Sequence, residues 1–430
     1  MPETIPWSRS VPVRYEADVA VIGGGIAGVS AAIAAADSGA SVILVERFAV
    51  TGGDLTSGGV ASFCGETAQQ GRVFDEIVTS LEAFGAIVPY QPYEVKSSRV
   101  FDHEILAVVL QEMLLKHGVK LLLHTRFVDA SVVDGCLREC VVCGQSGPEA
   151  LRAKQFIDCS GEGQLAHMAG FETIKGRPED GLQLPMSMMY FIREFDSPRD
   201  PQVPPGWFDE IRSKDDLPMV SVWPNGEGGK GIKVKIPMFD STDTESMTAA
   251  EIRARRRMMQ VLDYHQRVEK RPWKYDRCSP IIGIREGRRI VGDYVLTVDE
   301  LRAGAAFDDG VARGTFYLDG HKPDDDKRTY IIQRTEGVPG HMSELAVPPY
   351  QIPMRSLIAR DGRNLMMAGR CFSADQLALS SARVSTSSSM MGQAAGIAAA
   401  MAVAGGCDPR DINPQDVRKT VIERGAMLEV

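Results

Sequence analysis

Asp18-Val-Ala-Val-Ile22 is a short apolar run, followed at once by Gly23-Gly24-Gly25-Ile26-Ala27-Gly28. An Ala-rich stretch from Ser30 to Asp37 comes next and is closed by Gly39. Ser41-Val-Ile-Leu-Val45 is a second apolar run, and it ends in Glu46. Unbroken apolar runs of this length are what parallel strands buried on both faces need. The stretch therefore predicts a strand, a helix and a second strand, with a glycine turn opening the helix. Gly23 makes the turn, Gly25 lets a pyrophosphate approach the backbone, and Gly28 lets helix and strand pack closely. The N-terminal end of the helix stabilises the phosphate charge. Glu46 is placed to accept a hydrogen bond from a ribose hydroxyl. An acid there argues against a 2′-phosphate, so FAD or NAD is favoured over NADP.

Arg47 follows, and then Thr51-Gly52-Gly53-Asp54-Leu55-Thr56-Ser57-Gly58-Gly59. A second glycine cluster behind the acidic strand end has little use in an NAD domain. It suits a cofactor that runs onward toward a flavin ring, so FAD is the expected cofactor.

The rest of the composition agrees with an enzyme. Of 430 residues, 44% are hydrophobic and 24% are charged, enough for large cores and too apolar for bulk disorder. The net charge of −9 runs against a nucleic-acid partner. Eight cysteines are too few for a disulfide scaffold and read as reduced thiols of a cytoplasmic protein. No apolar stretch reaches the roughly 20 residues of a membrane span, so no membrane partner is expected. A homo-oligomer is left open.

Several further blocks occur in a fixed order. They are Gly52-Gly53-x-x-Thr56-Ser57-Gly58-Gly59; Phe101 to Glu104 with a helix to His117; Ile157-Asp158-Cys159-Ser160-Gly161-Glu162-Gly163; Ile284 to Ile290; Tyr350 to Pro353; Asn364 to Arg370; and Arg383-Val384 with Met391 to Gly396. In this order the sequence resembles FAD-dependent oxidoreductases related to the fumarate reductase and succinate dehydrogenase flavoproteins. Ser160 and Glu162 stand where that family has Thr and Asp. Asp375-Gln376 stands where relatives often carry a histidine, whose role cannot be carried over. The resemblance implies an α/β fold: a discontinuous Rossmann-like FAD-binding domain over 15–170 and 350–405. An inserted mixed α+β substrate or cap domain covers 171–349, and 406–430 is a tail. The expected cofactor contacts are Gly23, Gly25, Ile26, Ala27, Gly28, Glu46, Arg47, Gly52, Gly53, Thr56, Ser57, Gly58, Gly59, Val128, Ser160, Gly161, Gly369, Arg370, Gly392, Gln393 and Ala394.

Other features weigh less. Gly161-Glu162-Gly163-Gln164-Leu165-Ala166 has the spacing of a second dinucleotide turn. It lacks a clean strand-ending acid downstream, so it reads as a turn closing over the FAD. Cys136, Cys140 and Cys143 have iron–sulfur spacing. They fall on a strand-like run after Asp134-Gly135, where alternation sends Cys140 and Cys143 to opposite faces, so no metal is expected. Thr248-Ala-Ala-Glu251 reads as a capping box opening a helix that ends near Pro272. The last helix is expected from about Ser387 to Val403, its N-terminal end aimed at the flavin.

For catalysis, His321 is the natural base at neutral pH, following a β-like run from Thr315 to Leu318. Arg285, with Arg288 and Arg289, either binds a carboxylate or oxyanion or ties the domains together. Tyr350 is a weaker candidate. The expected activity is oxidation of a small organic molecule by hydride transfer to the flavin, the electron acceptor being unknown. A fumarate-reductase-like reduction, or an RNA-modifying flavoprotein, is the alternative.

Overall fold

The structure is a computed structural model that describes residues 3, 5–6, 8–94, 98–197, 200–332 and 344–430. The opening motif folds as its pattern requires. Val13–Ile22 and Val42–Val45 pair in parallel, with the helix Ile26–Ala36 between them. Lys120–Leu122 extends the sheet on one side. Gly147–Asp158 lies parallel to Val13–Ile22 on the other, from Val13/Ala150 to Ile22/Asp158. Beyond it an antiparallel meander adds Cys136–Gly144 and Arg126–Val133, turning at Asp134-Gly135, both at positive φ. Leu365–Met367 returns from far along the chain and pairs in parallel with Phe156–Asp158. The sheet is therefore built from both ends of the sequence.

A second, antiparallel sheet has the order Val220–Pro224, Gly229–Ile236, Met186–Glu194, Trp273–Cys278. Alternation along Gly229–Ile236 turns Ile232, Val234 and Ile236 to one face, where the helix Thr244–Arg267 covers them with Ala250, Ala254, Met258, Val261 and Leu262. That helix begins a full turn before the expected capping box. Asp243 caps it by accepting from the Ser246 N–H, while Glu251 accepts from the Ile282 N–H. The opposite face of the sheet carries Ser187, Met189, Phe191, Lys233 and Lys235 and meets the first domain. Met189 and Phe191 pack on Gly59, and the Phe191 ring stacks on His103 at 4.9 Å.

The two cores divide the chain differently from the expected boundaries. The second core draws on Met186 to Ile282 only. Ile290, Leu296, Leu301, Val311, Ala312 and Leu318 belong to the first core, although they lie inside the expected insertion. The run from Thr315 to Leu318 is not a strand. The strand is Gly310–Gly314, paired antiparallel with Tyr350–Pro353. Nor is 406–430 a loose tail: the helix Pro414–Glu423 buries Val417 and Val421 in the first core, joined by Ala426 and Leu428.

The last helix, Ser385–Gly405, lies against Ile26–Ala36 with the backbones nearly touching. A Cβ at Gly392 would sit 2.1 Å from the Ala27 carbonyl oxygen, and one at Gly396 would sit 2.2 Å from that of Ala31. Ser30 and Ser389 share a 2.7 Å hydrogen bond across the same seam. Substituting Gly392→Val should force the helices apart and lower unfolding stability by about 3 kcal/mol or more, measured by urea denaturation. Unchanged stability would refute this packing.

Candidate functional site

A cleft of about 1290 Å³, counting its mouth, runs along the carboxyl ends of the parallel strands, where open α/β sheets place ligands. One end is lined by Glu46, Arg47, Phe48, Thr125, Arg126 and Phe127. The middle is lined by Gly23, Gly25, Ile26, Ala27, Ser160, Gly161, Gly369 and Arg370. The far end is lined by Gly52, Gly53, Leu55, Ser62, Cys64, Arg383, Val384, Ser385 and Ser388, while Ile281 and Ile284 line the cleft from the side of the second domain.

The middle has the form of an anion cradle. Gly25 caps the first helix with no side-chain hydrogen bond to the free N–H groups of the first turn. A Cβ built on Gly25 meets nothing within 4 Å, so the backbone there is open to the cleft that Gly25 lines. Glu46 is buried; its Oε2 accepts from the Gly24 N–H at 2.7 Å and its Oε1 from the Phe48 N–H at 2.8 Å. Each oxygen keeps a lone pair for a ribose hydroxyl. Burial pushes the Glu46 carboxyl above its usual range, while the two N–H donors oppose the shift. At the far end the helix Ser385–Gly405 begins without a side-chain cap, and the buried hydroxyls of Ser385 and Ser387 have no hydrogen-bond partner. A long cleft with a ribose acceptor, a phosphate cradle and an uncapped helix end fits FAD from adenosine to flavin.

The family model for FAD dependent oxidoreductases matches residues 18–421. The chain belongs to that family. FAD is its cofactor, and the protein is an oxidoreductase. No curated protein matches it by sequence. Among solved structures, a geranylgeranyl bacteriochlorophyll reductase-like protein from Thermoplasma acidophilum matches at 14% identity and a TM-score of 0.52, over 96% of this chain and 84% of the other. The p-nitrophenol 4-monooxygenase of Pseudomonas putida matches at 11% identity and a TM-score of 0.50, over 96% of this chain and 87% of the other. At such identities the likeness is one of fold.

Several expected contacts lie elsewhere. Val128 is exposed and its neighbours Thr125, Arg126 and Phe127 line the cleft instead. Gly28 packs against Gly23 and Cys159 and serves the turn rather than the ligand. Thr56 donates to the Thr51 carbonyl and braces its own loop. Ser57 and Gly58 are outside the lining, and Gly59 faces the second sheet. Gly392 meets the first helix. Gln393 donates to the Gln70 carbonyl and accepts from the Val73 N–H. Ala394 is core. Arg370 lines the cleft, yet its N–H groups are spent on Asp54 at 2.8 Å, Glu162 at 2.6 Å and the carbonyls of Gly161 and Ile284. It clamps two cofactor loops together.

The catalytic candidates separate in the same way. Tyr350 is sealed in the core and shares a 2.7 Å hydrogen bond with Ser381, away from the lining. Arg285 is buried, donating to the Pro185 carbonyl and Ser187 Oγ, both at 2.6 Å, with its Nε 3.8 Å from Asp319 Oδ2. Asp319 is the hub that sequence reading missed. Its Oδ2 also accepts from Arg383 at 2.9 Å, and its Oδ1 lies 3.1 Å from His321 Nε2. Burial would raise the Asp319 pKa, but His321, Arg285 and Arg383 outweigh it and hold the carboxyl well below its ordinary value. His321 is 1% exposed and its ring stacks on Tyr330. Burial lowers its pKa against the pull of Asp319. Its second nitrogen faces the Thr329 carbonyl at 3.4 Å, so both nitrogens look toward acceptors and neither is offered to the cleft.

Arg383 brings this cluster to the far end of the cleft. It was visible as one of the quoted blocks, but nothing marked its role. Gly25→Ala should leave the thermal stability of the apoprotein unchanged, because the new methyl meets no protein atom, yet weaken FAD binding about 100-fold or more by occupying the phosphate cradle. Fluorescence titration with FAD checks this. Equal affinity would show that the cofactor's phosphates lie elsewhere.

Proposed function

We propose that this protein oxidises a small organic molecule held against the Arg285–Asp319–Arg383 cluster, with a hydride passing from a substrate carbon to the flavin ring and the accompanying proton passing to solvent at the mouth of the cleft. The observation that carries the reading is the position of Arg383. Arg383 lines the far end of the cleft, and its guanidinium donates to Asp319 at 2.9 Å, which fixes its direction. Bound FAD supplies a two-electron acceptor, and the protein supplies position and electrostatics. The kinship with fumarate reductase and succinate dehydrogenase flavoproteins is part of this proposal and rests on the quoted motifs.

The residues divide the work. Ile281 and Ile284 give the cleft an apolar wall that helps exclude water. Asp319 stays ionised and holds two guanidiniums, so the charge facing the substrate does not drift during reaction. His321 braces Asp319 from the far side and is a positioning residue in this reading, because its nitrogens are engaged. Substrate then meets Arg383 directly and Arg285 through the shared carboxylate.

Anaerobic mixing of the FAD-loaded protein with a panel of small alcohols, amines and acids should bleach the flavin with one class of them. Arg383→Met should slow that bleaching by about 100-fold at unchanged FAD content, and Arg383→Lys should recover part of the loss. Wild-type bleaching rates in Arg383→Met would place the substrate elsewhere.

A further inference from the structure

A second cavity, about 1270 Å³ counting its mouth, adjoins the cofactor cleft at the ribose end. The two share Arg47, Phe48, Arg126, Gln164, Ile281 and Ile284. The second domain supplies a wall that the cleft lacks, from Thr242 to Thr248 at the start of the helix Thr244–Arg267, and Arg288 and Glu162 also line only this cavity. Three guanidiniums therefore border one space. Arg288 is half-buried, and among the described residues its side chain makes no hydrogen bond and no ion pair. Arg126 makes none either. Arg47 lies over the Phe48 ring at 4.7 Å, and its ion pair with Glu162 is long, at 3.7 Å. The carboxylates on the lining are engaged elsewhere. Glu251 Oε2 accepts from Arg255 at 2.7 Å, and Asp243 Oδ1 accepts from the Ser246 N–H at 2.7 Å. Glu162 Oε1 accepts from Arg370 at 2.6 Å, while its buried Oε2 has no hydrogen-bond partner. A guanidinium drawn partly out of water, with none of its five donors given to protein, is costly to keep unless an acceptor meets it.

We propose that this cavity is a second ligand site, which binds a phosphate-bearing nucleotide beside FAD, its phosphates on Arg288 and Arg126. The inference rests on FAD occupying the cleft and holds whatever the flavin oxidises. Two arginines without protein partners offer planar pairs of donors that match phosphate oxygens. A free phosphate ion would fill a small part of the space and leave its apolar wall unused. That wall is Ile281, Ile282, Ile284 and Met247, with the Phe48 ring at the shared end, and it suits a planar base. Glu162 Oε2 is a buried acceptor. It repels a phosphate and suits a ribose hydroxyl or a base amino group, which would satisfy it. Cations, an apolar wall and one carboxylate acceptor together are the chemistry of a nucleotide. The Gly161–Ala166 turn, with its dinucleotide-like spacing, is what brings Glu162 and Gln164 to this cavity.

The test is calorimetry of the FAD-loaded protein with AMP, ATP, NAD⁺ and NADP⁺, and with adenosine and inorganic phosphate. At least one nucleotide should bind about tenfold or more tightly than both adenosine and phosphate, with FAD retained. The four nucleotides separate an adenine from a pyridine nucleotide. Arg288→Met should weaken the preferred one about tenfold or more at unchanged FAD content, and Arg288→Lys should recover part of the loss. Thr248→Trp, at an exposed position outside the cleft lining, should obstruct the cavity with the same result. The proposal is overturned if no nucleotide is preferred over adenosine and phosphate, or if the preferred one binds both Arg288→Met and Thr248→Trp as it binds the wild type. It is overturned too if the nucleotide displaces FAD, which would place it in the cofactor cleft. A protein that holds no FAD would instead bring down the reading of the cleft, and this proposal with it.

Discussion

The architecture depends on the near contact between the backbones of Ile26–Ala36 and Ser385–Gly405. Gly392 and Gly396 allow it, because any side chain there would overlap the Ala27 or Ala31 carbonyl oxygen. Backbone contact of this kind fixes both the separation and the rotation of the pair, since no side chain can rearrange to absorb a shift. Both helices start at the cleft. Fixing one against the other therefore fixes the distance between the uncapped N-terminal end near the phosphate cradle and the one near the flavin. A cofactor that spans the cleft needs that distance held.

The second sheet adds what the first domain lacks. The first domain offers glycine turns, helix ends, a ribose acceptor and, just ahead of its last helix, Arg383. The inner face of the second sheet brings Ser187 to orient Arg285. Asp319 comes from the segment that leads back to the first core, and Arg383 from just ahead of the last helix. Arg285 and Arg383, far apart in the chain, thus converge with the nearby His321 on one carboxylate. Its low-dielectric surroundings strengthen each charge contact and make each unpaired charge costly.

How much of this was legible in the sequence follows from the range of the forces involved. The fold around Asp18–Glu46 could be read because turn, helix and strand are adjacent in the chain and each constrains its neighbour. Glu46, Gly25 and Gly52 could be placed because their roles follow from backbone geometry. The meander bearing Cys136 and Cys140 was readable from alternation, and Cys140 is indeed buried with its thiol pKa raised to about 12 by desolvation. Gly392 was expected at the cofactor, but the sequence does not distinguish close approach to a cofactor from close approach to a helix. His321 drew notice as a titratable side chain, while its hub, Asp319, is one acid among many in a polar loop.

The strand Leu365–Met367 beside Phe156–Asp158 has a consequence for biosynthesis. The cofactor cleft takes Gly369, Arg370 and the start of the last helix from beyond residue 365. A nascent chain that has emerged only to residue 350 carries the phosphate turn and the ribose acceptor but has no floor beneath the flavin. Grip on the cofactor therefore closes late, once the C-terminal segment has left the ribosome and inserted at the sheet edge. Until then Phe156, Ile157 and the Ala-rich face of the first helix stand uncovered.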